Sequence, residues 1–386
     1  MKLLILLSRV PWPVEKGDKL RAFHQIRCLS ESHEVHLCAW SDGNKEEEAR
    51  EKLAAYCTSI TFIPRSVPRA IFNMGLALLS GKPLQVGMFY SSKARKMVEQ
   101  LVKSIKPDHI YCQLIRVAEL AKNHNVPCTI DYQDVMSVNM LRRGTASPFY
   151  LKLIMSIEYR RLMKYEKDIF NAFNHHTIIS IPDRDLMPVD ECEKITVIPN
   201  GVDYNYFYPF NDPKDIDVVF TGNMGYPPNI DGSEFLIREI MPLVKAKLPN
   251  VVFMIAGANP HSRVQSLESS NVRVTGWVDD IRDCYARSKV FVAPMRIGTG
   301  LQNKLLEAMA MKLPSVTTTL ANSALMAAPG EQILVGDSAH EIATHIIQLL
   351  SNTAFADNIA LNGCDFVHNT FSWEDSTEIL STLMDS

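Results

Sequence analysis

Two stretches of this 386-residue chain set charged side chains beside glycine as an anion site requires. The stronger is Arg296-Ile297-Gly298-Thr299-Gly300-Leu301-Gln302-Asn303-Lys304-Leu305-Leu306-Glu307. The apolar run before it predicts a strand, and residues 302–311 predict a helix. The loop of Gly298, Thr299, Gly300 and Leu301 would then present backbone N–H groups and a helix N-terminus to a negative group. Arg296 and Lys304 could neutralise a diphosphate. Lys304 and Glu307 are three residues apart and share a helix face. As a surface ion pair they would contribute little. Beside a phosphate pocket the carboxylate could instead accept two hydrogen bonds from ribose hydroxyls.

The second stretch is Pro11-Trp12-Pro13-Val14-Glu15-Lys16-Gly17-Asp18-Lys19-Leu20-Arg21, after the first apolar run. A helix starting near Asp18 would offer free N–H groups, and Gly17 allows close approach of a phosphate. Lys16, Lys19 and Arg21 add positive charge. GxGxxG is missing, which disfavours an NAD-dependent dehydrogenase. A basic strand-to-helix loop alone is often only a solvated turn.

The elements that must position these residues alternate along the chain. Strands are predicted at 2–7, 35–40, 59–63, 109–112, 128–130 and 177–181, with helices at 20–30, 45–57, 91–105 and 150–170. The second half repeats the pattern, with strands at 217–221, 251–256, 272–275, 290–293 and 315–318. Such alternation with short connections predicts parallel sheets in doubly wound α/β domains, one per half. The length also calls for two cores. The domains are set at 1–200 and 201–368, with the Pro- and Gly-punctuated, aromatic-rich stretch from Ile198 to Pro213 as a hinge. A last helix at 369–386, with Ser372 as its cap and Asp375 three residues on, is expected to pack back on the first domain.

Composition narrows the class. The chain is 46% hydrophobic and 22% charged, as in a globular protein, and no apolar run reaches the roughly 18–20 residues that span a bilayer. The eight cysteines form no CxxC pair, and the eleven histidines include no HExxH. This predicts reduced thiols, a cytoplasmic setting and no metal site. His175 and His176 would point to opposite faces of a strand. Residues 1–200 carry 28 Lys and Arg against 22 Asp and Glu, a net of +6; residues 201–386 carry 12 against 21, a net of −9. The basic half could face an anionic membrane surface or phosphate groups. No nucleic-acid motif accompanies it, so no nucleic-acid partner is expected. The segment 70–80, apolar with Arg65, Arg69 and Lys82 at its edges, reads by its length as a buried helix, the alternative being a helix resting on the inner face of a membrane.

Several motifs together resemble the family 4 glycosyltransferases of the GT-B fold. They are Val197-Ile198-Pro199-Asn200-Gly201-Val202-Asp203, Thr275-Gly276-Trp277-Val278-Asp279-Asp280, Val290-Phe291-Val292-Ala293-Pro294 and Lys304-Leu305-Leu306-Glu307-Ala308-Met309-Ala310. The resemblance covers nearly the whole chain. It implies two facing Rossmann-like domains, the donor on the C-terminal one and the acceptor on the N-terminal one. It implies retaining transfer of a hexosyl group from a nucleotide-sugar co-substrate to a saccharide or lipid-linked acceptor, with no cofactor or metal required. Glu307 matches the ribose-holding second glutamate of the family's paired-glutamate motif. Trp277 and Val278 match a base-contacting loop, and Gly17 matches the glycine loop near the donor phosphates.

Three positions depart from the family pattern. The first glutamate should lie eight residues before Glu307, where Thr299 stands. The phosphate-binding Arg and Lys fall on or near Asn223 and Asn229, so Arg296 and Lys304 are expected as replacements. The histidine after strand 128–130 is replaced by Asp131-Tyr132-Gln133-Asp134. Asp131 and Asp134 are then the side chains expected to orient sugar or acceptor, although Asp134 could equally cap the helix that follows. The Arg-x-Gly-x-Gly loop with its Lys resembles a variant subgroup linked to cell-surface polysaccharide synthesis. The rival readings are a GT-B-fold sugar-nucleotide epimerase, disfavoured by the missing histidine, and a non-catalytic GT-B binding protein.

Overall fold

The computed structural model describes every residue except 146, 147, 211 and 299. The chain forms two compact units, one of Met1–Pro199 with Trp373–Ser386, the other of Asn200–Ser372.

The first unit is built on β1 (Lys2–Leu7), β2 (Glu34–Ser41), β3 (Ser59–Pro64), β4 (His109–Gln113), β5 (Cys128–Asp131), β6 (His175–Ile178) and β7 (Ile195–Val197). They lie in the order β3-β2-β1-β4-β5-β6-β7, every pair parallel. Leu3 to Leu7 are at most 2% exposed on both faces of β1. A parallel sheet covered by helices on both sides buries both faces, so its central strand reads as a continuous apolar run. The strand order reverses between β1 and β4. Such a switch point opens a crevice at the carboxyl ends of the strands.

The second unit repeats this plan with β8 (Ile216–Thr221), β9 (Phe253–Ala256), β10 (Val272–Val274), β11 (Ser288–Ala293), β12 (Ser315–Thr317) and β13 (Leu334–Val335). Its order is β10-β9-β8-β11-β12-β13, again all parallel. The switch point lies between β8 and β11.

Among the helices are α1 (Gly17–Leu29), α2 (Val67–Leu79), α3 (Met136–Thr145), α4 (Phe149–Phe170), α5 (Pro227–Phe235), α6 (Asn303–Ala310), α7 (Thr353–Thr370) and α8 (Trp373–Asp385). The last, α8, belongs to the first unit. Trp373 stacks on His24 of α1 at 4.8 Å between ring centroids, and Leu380 and Met384 join the core around Leu3 and Ile26.

Three expectations are corrected. The strand placed at 177–181 ends at Ile178, because Ser180 Oγ accepts the Asp183 N–H and caps a new helix, Ile181–Arg184. The buried reading of the segment at 70–80 fails. In α2 only Ala77 is buried, while Phe72 is 65% and Leu79 87% exposed. The helix touches the unit along one narrow line, where Ala77 lies so close to Gly87 that a Cβ there would sit 2.5 Å from the Ala77 Cβ. The short strands β7 and β13, of three and two residues, were not foreseen. Among the described residues, no helix is long and apolar enough to cross a membrane.

Candidate active site

The carboxyl ends of β8 and β11 flank the switch point of the second unit. After β8, Gly222 has a φ of +151°, and a Cβ there would sit 2.7 Å from Asn229 Nδ2 and 3.2 Å from Lys304 Nζ. Only glycine leaves room for both. After β11, Gly298 and Gly300 have φ of +96° and +90°, which turns the chain into α6. Gln302 at the start of α6 provides no side-chain cap. The Asn303 and Lys304 N–H groups therefore remain open to an anion, whereas the Leu305 N–H donates to the Gln302 carbonyl at 2.9 Å. Thr299 lies outside the described residues.

Lys304 projects from the first turn of α6 into this crevice. Its Nζ donates to Asn229 Oδ1 at 2.5 Å, sits 4.6 Å from the Phe220 ring centroid and lies 3.9 Å from Met295 Sδ. Asn229 is itself buried and donates from Nδ2 to the Asn223 carbonyl at 2.9 Å. Burial pushes the ammonium down to about 7, against the pull of Glu307. A half-buried amine with one amide partner and no carboxylate in contact among the described residues is short of counter-charge, a condition that an entering phosphate relieves.

One turn further along α6, Tyr285 Oη donates to Glu307 Oε2 at 2.8 Å, and Tyr285 Oη is paired in turn with Thr221 Oγ1 at 2.8 Å. Burial raises the Glu307 carboxyl, opposed by Tyr285 and then Lys304. Tyr285 fixes one carboxylate oxygen. The other takes no protein hydrogen bond among the described residues, so a ligand hydroxyl could use it. Trp277 follows β10 and is 63% exposed; Val278 beside it packs on the core.

Arg296 departs from expectation. Its Nε and Nη2 donate to Asp231 at 3.1 and 2.9 Å, and its Nη1 to Glu239 at 3.4 Å. The guanidinium also lies 4.2 Å from the Phe235 ring centroid. Two carboxylates already balance its charge, which leaves little for a diphosphate. Asn223 is exposed at the mouth of the loop after β8, and its Oδ1 accepts the Gly225 N–H at 3.0 Å, which fixes the local turn.

In the first unit α1 begins at Gly17, and no side chain caps it. A cleft of about 510 Å³ lies beneath, lined in part by Arg9, Lys16, Lys19, Lys45 and Arg65. Arg21 does not join this basic set. It is fully buried, with Nε 2.7 Å from Asp131 Oδ2. Asp131 also accepts from Tyr111 Oη and from Thr177 Oγ1, both at 3.0 Å. The expectation that Asp131 orients a sugar is therefore corrected: it is the buried counter-ion of Arg21, with no exposed surface. Asp134, at the carboxyl end of β5, is partly exposed. Burial and Asp183 push its carboxyl up to about 6, against Arg116. Helix α3 begins two residues later, at Met136.

Sequence reasoning found Lys304, Glu307 and the glycine loop but not Tyr285 or Thr221. A tyrosine in a short amphipathic helix carries the same signature as core packing, and nothing in its spacing to Glu307 marks the contact.

Residues 215–352 match the family model described as glycosyl transferases group 1. An uncharacterized 44.6 kDa protein in the cps region of Klebsiella pneumoniae is 23% identical over 402 residues, covering 99% of this chain and 98% of that protein. Sucrose-phosphate synthase from Thermosynechococcus elongatus superposes with a TM-score of 0.69 at 17% identity, over 99% of this chain and 98% of its own. HepE of Anabaena, solved with UDP and glucose, superposes with a TM-score of 0.70 at 14% identity, over 99% of each chain. These likenesses establish the GT-B fold.

Proposed function

We propose, from a C-terminal unit that matches the group 1 glycosyltransferases in a chain of GT-B fold, that this protein transfers a hexosyl group from a nucleotide-sugar, with retention, to a saccharide or lipid-linked acceptor in cell-surface polysaccharide synthesis. The observation that carries the reading is the placement at the β8–β11 switch point of a half-buried ammonium short of counter-charge and, one turn away, a carboxylate held by Tyr285. Glu307 would accept the ribose hydroxyls. The Lys304 side chain, the Asn303 and Lys304 amides and the loop of Gly298, Gly300 and Leu301 would hold the diphosphate. Trp277 and Val278 would border the base. The binding of UDP and glucose by HepE and the cps-region relative support the donor class and the polysaccharide setting.

In the reaction the bond from the anomeric carbon to the diphosphate oxygen breaks. An acceptor oxygen bonds that carbon on the same face, and its proton passes to a leaving phosphate oxygen. Donors aimed at the developing phosphate charge stabilise this step, and each is worth about a hundredfold in rate. The reaction calls on no metal or cofactor. Asp134 would orient the acceptor on the first unit. The exposed apolar face of α2, edged by Arg69 and Lys82, would rest on the anionic inner face of a membrane.

A panel of nucleotide-sugars tested by thermal shift identifies the donor, since a ligand at a hundred times its Kd stabilises by about 2.7 kcal/mol. Product analysis with a saccharide acceptor should then give a glycoside of unchanged anomeric configuration. Isomerisation of the donor sugar without acceptor would make the protein an epimerase instead.

A further inference from the structure

Beside the basic cleft under α1 the first unit has a different kind of cavity. It measures about 420 Å³ and is lined by Met74 of α2, Met88 and Phe89, Met140 of α3, and Ile154 and Met155 of α4, together with Arg9, Arg65, Arg116 and Arg143. That volume falls within the usual range for ligand sites. Four flexible methionine side chains make a wall that adapts to an irregular apolar guest. A second cleft of about 260 Å³ continues it between α3 and α4, sharing Met140 and Met155.

The polar end is cationic. The guanidinium carbons of Arg65 and Arg116 lie 5.9 and 6.0 Å from the centroid of the same Phe89 ring. Neither arginine forms an ion pair among the described residues; Arg116 Nε donates only to the amide oxygen of Gln85, at 3.2 Å. Burial, followed by the positive charge of Arg9, presses the Arg116 guanidinium downward, against Asp18 and Asp134; Arg9 itself pairs with Asp18 at 2.6 Å. Arg9 and Arg65 also line the basic cleft beneath Gly17, so the two cavities share this end.

A third feature lies on the wall. Glu158 is 4% exposed, and its Oε1 accepts the Leu84 N–H at 2.7 Å, but its buried Oε2 has no partner among the described residues. Burial raises this carboxyl, against the Gln85 and Leu84 amides and Arg161. Outside the cavity, α2 and α4 are tied by Arg161 Nη2 donating to the Leu78 carbonyl at 3.2 Å. Both helices expose apolar side chains, among them Ile71, Phe72, Leu76, Leu153 and Ile157.

We infer that this groove binds an acceptor carried on a long-chain lipid phosphate, with the phosphate between Arg65 and Arg116 and the hydrocarbon along the methionines toward α2 and α4. An apolar trough that ends at Arg65 and Arg116, which form no ion pair among the described residues, fits an amphiphile with an anionic head, because each half of such a ligand satisfies one half of the groove. This deepens the reading of the first unit as the acceptor side and rests on it.

The test uses the full chain, with farnesyl diphosphate below its micellar concentration, inorganic diphosphate, and phosphatidylcholine vesicles containing phosphatidylglycerol. Farnesyl diphosphate should bind about tenfold or more tighter than inorganic diphosphate, since its hydrocarbon leaves water on entering the groove. Met140→Glu with Met155→Glu should abolish that preference, and Arg116→Ala should weaken farnesyl diphosphate binding. Equal binding of the two diphosphates overturns the inference, as does unchanged binding by Arg116→Ala or binding to vesicles alone. Nucleotide-sugar affinity is measured on the same preparations and reports folding of the variants. If the donor binds and no lipid preference is found, the lipid inference fails and the transferase reading stands.

Discussion

At the scale of single residues, Lys304 is the most informative side chain. Its position near Glu307 could be read from sequence, but its environment could not. The contact with Asn229 spans 75 residues and depends on Gly222 leaving space for both groups. The lysine expected near Asn229 in the chain is thus supplied in space from another helix. The amine's low pKa, about 7, gives a prediction with a definite sign. Above pH 7 the free site is largely neutral, and a diphosphate favours the charged form, so binding must take up a proton. Nucleotide-sugar affinity should fall as pH rises from 7 to 9, with proton uptake seen by calorimetry in buffers of different protonation enthalpy. Lys304→Met should bind more weakly and lose this dependence. Asp131 teaches the opposite lesson. Its place after a strand suggested chemistry, yet it neutralises Arg21 from 110 residues away. Asp131→Ala leaves a buried charge unmatched and should cost about 3–5 kcal/mol in urea unfolding.

Elements were more legible than side chains. Continuous apolar runs such as residues 3–7 identified the parallel strands because both of their faces are buried. The two- and three-residue strands β13 and β7 were missed because so short a run has no period. Helix α2 was misread for a related reason: an apolar segment of core length does not reveal whether anything covers it. Its exposed face yields a prediction of its own. The protein should float with phosphatidylglycerol-containing liposomes, less so as salt rises. Phe72→Glu should reduce flotation about tenfold or more by removing a buried aromatic from the lipid. Flotation that is unchanged in this variant, or absent in the parent, would remove α2 from any membrane role.

At the scale of the whole molecule, the alternating pattern specified two doubly wound units, and the motifs around Trp277 and Glu307 specified the GT-B fold. The return of the chain into the first unit at Trp373 depends on a stack with His24 that no local signal announces. Both units place their glycine loops at a switch point of strand order, and the parallel arrangement of the strands dictates that position. The central claim is that the switch point of the second unit binds a nucleotide-sugar through Glu307. Isothermal calorimetry of the donor with the parent protein and with Glu307→Ala tests it most directly. Loss of hydrogen bonds to a charged carboxylate, at about 1.5–3 kcal/mol each, predicts affinity lower by roughly ten- to a hundredfold or more in a variant that remains folded. Equal affinity in the two proteins would contradict the account.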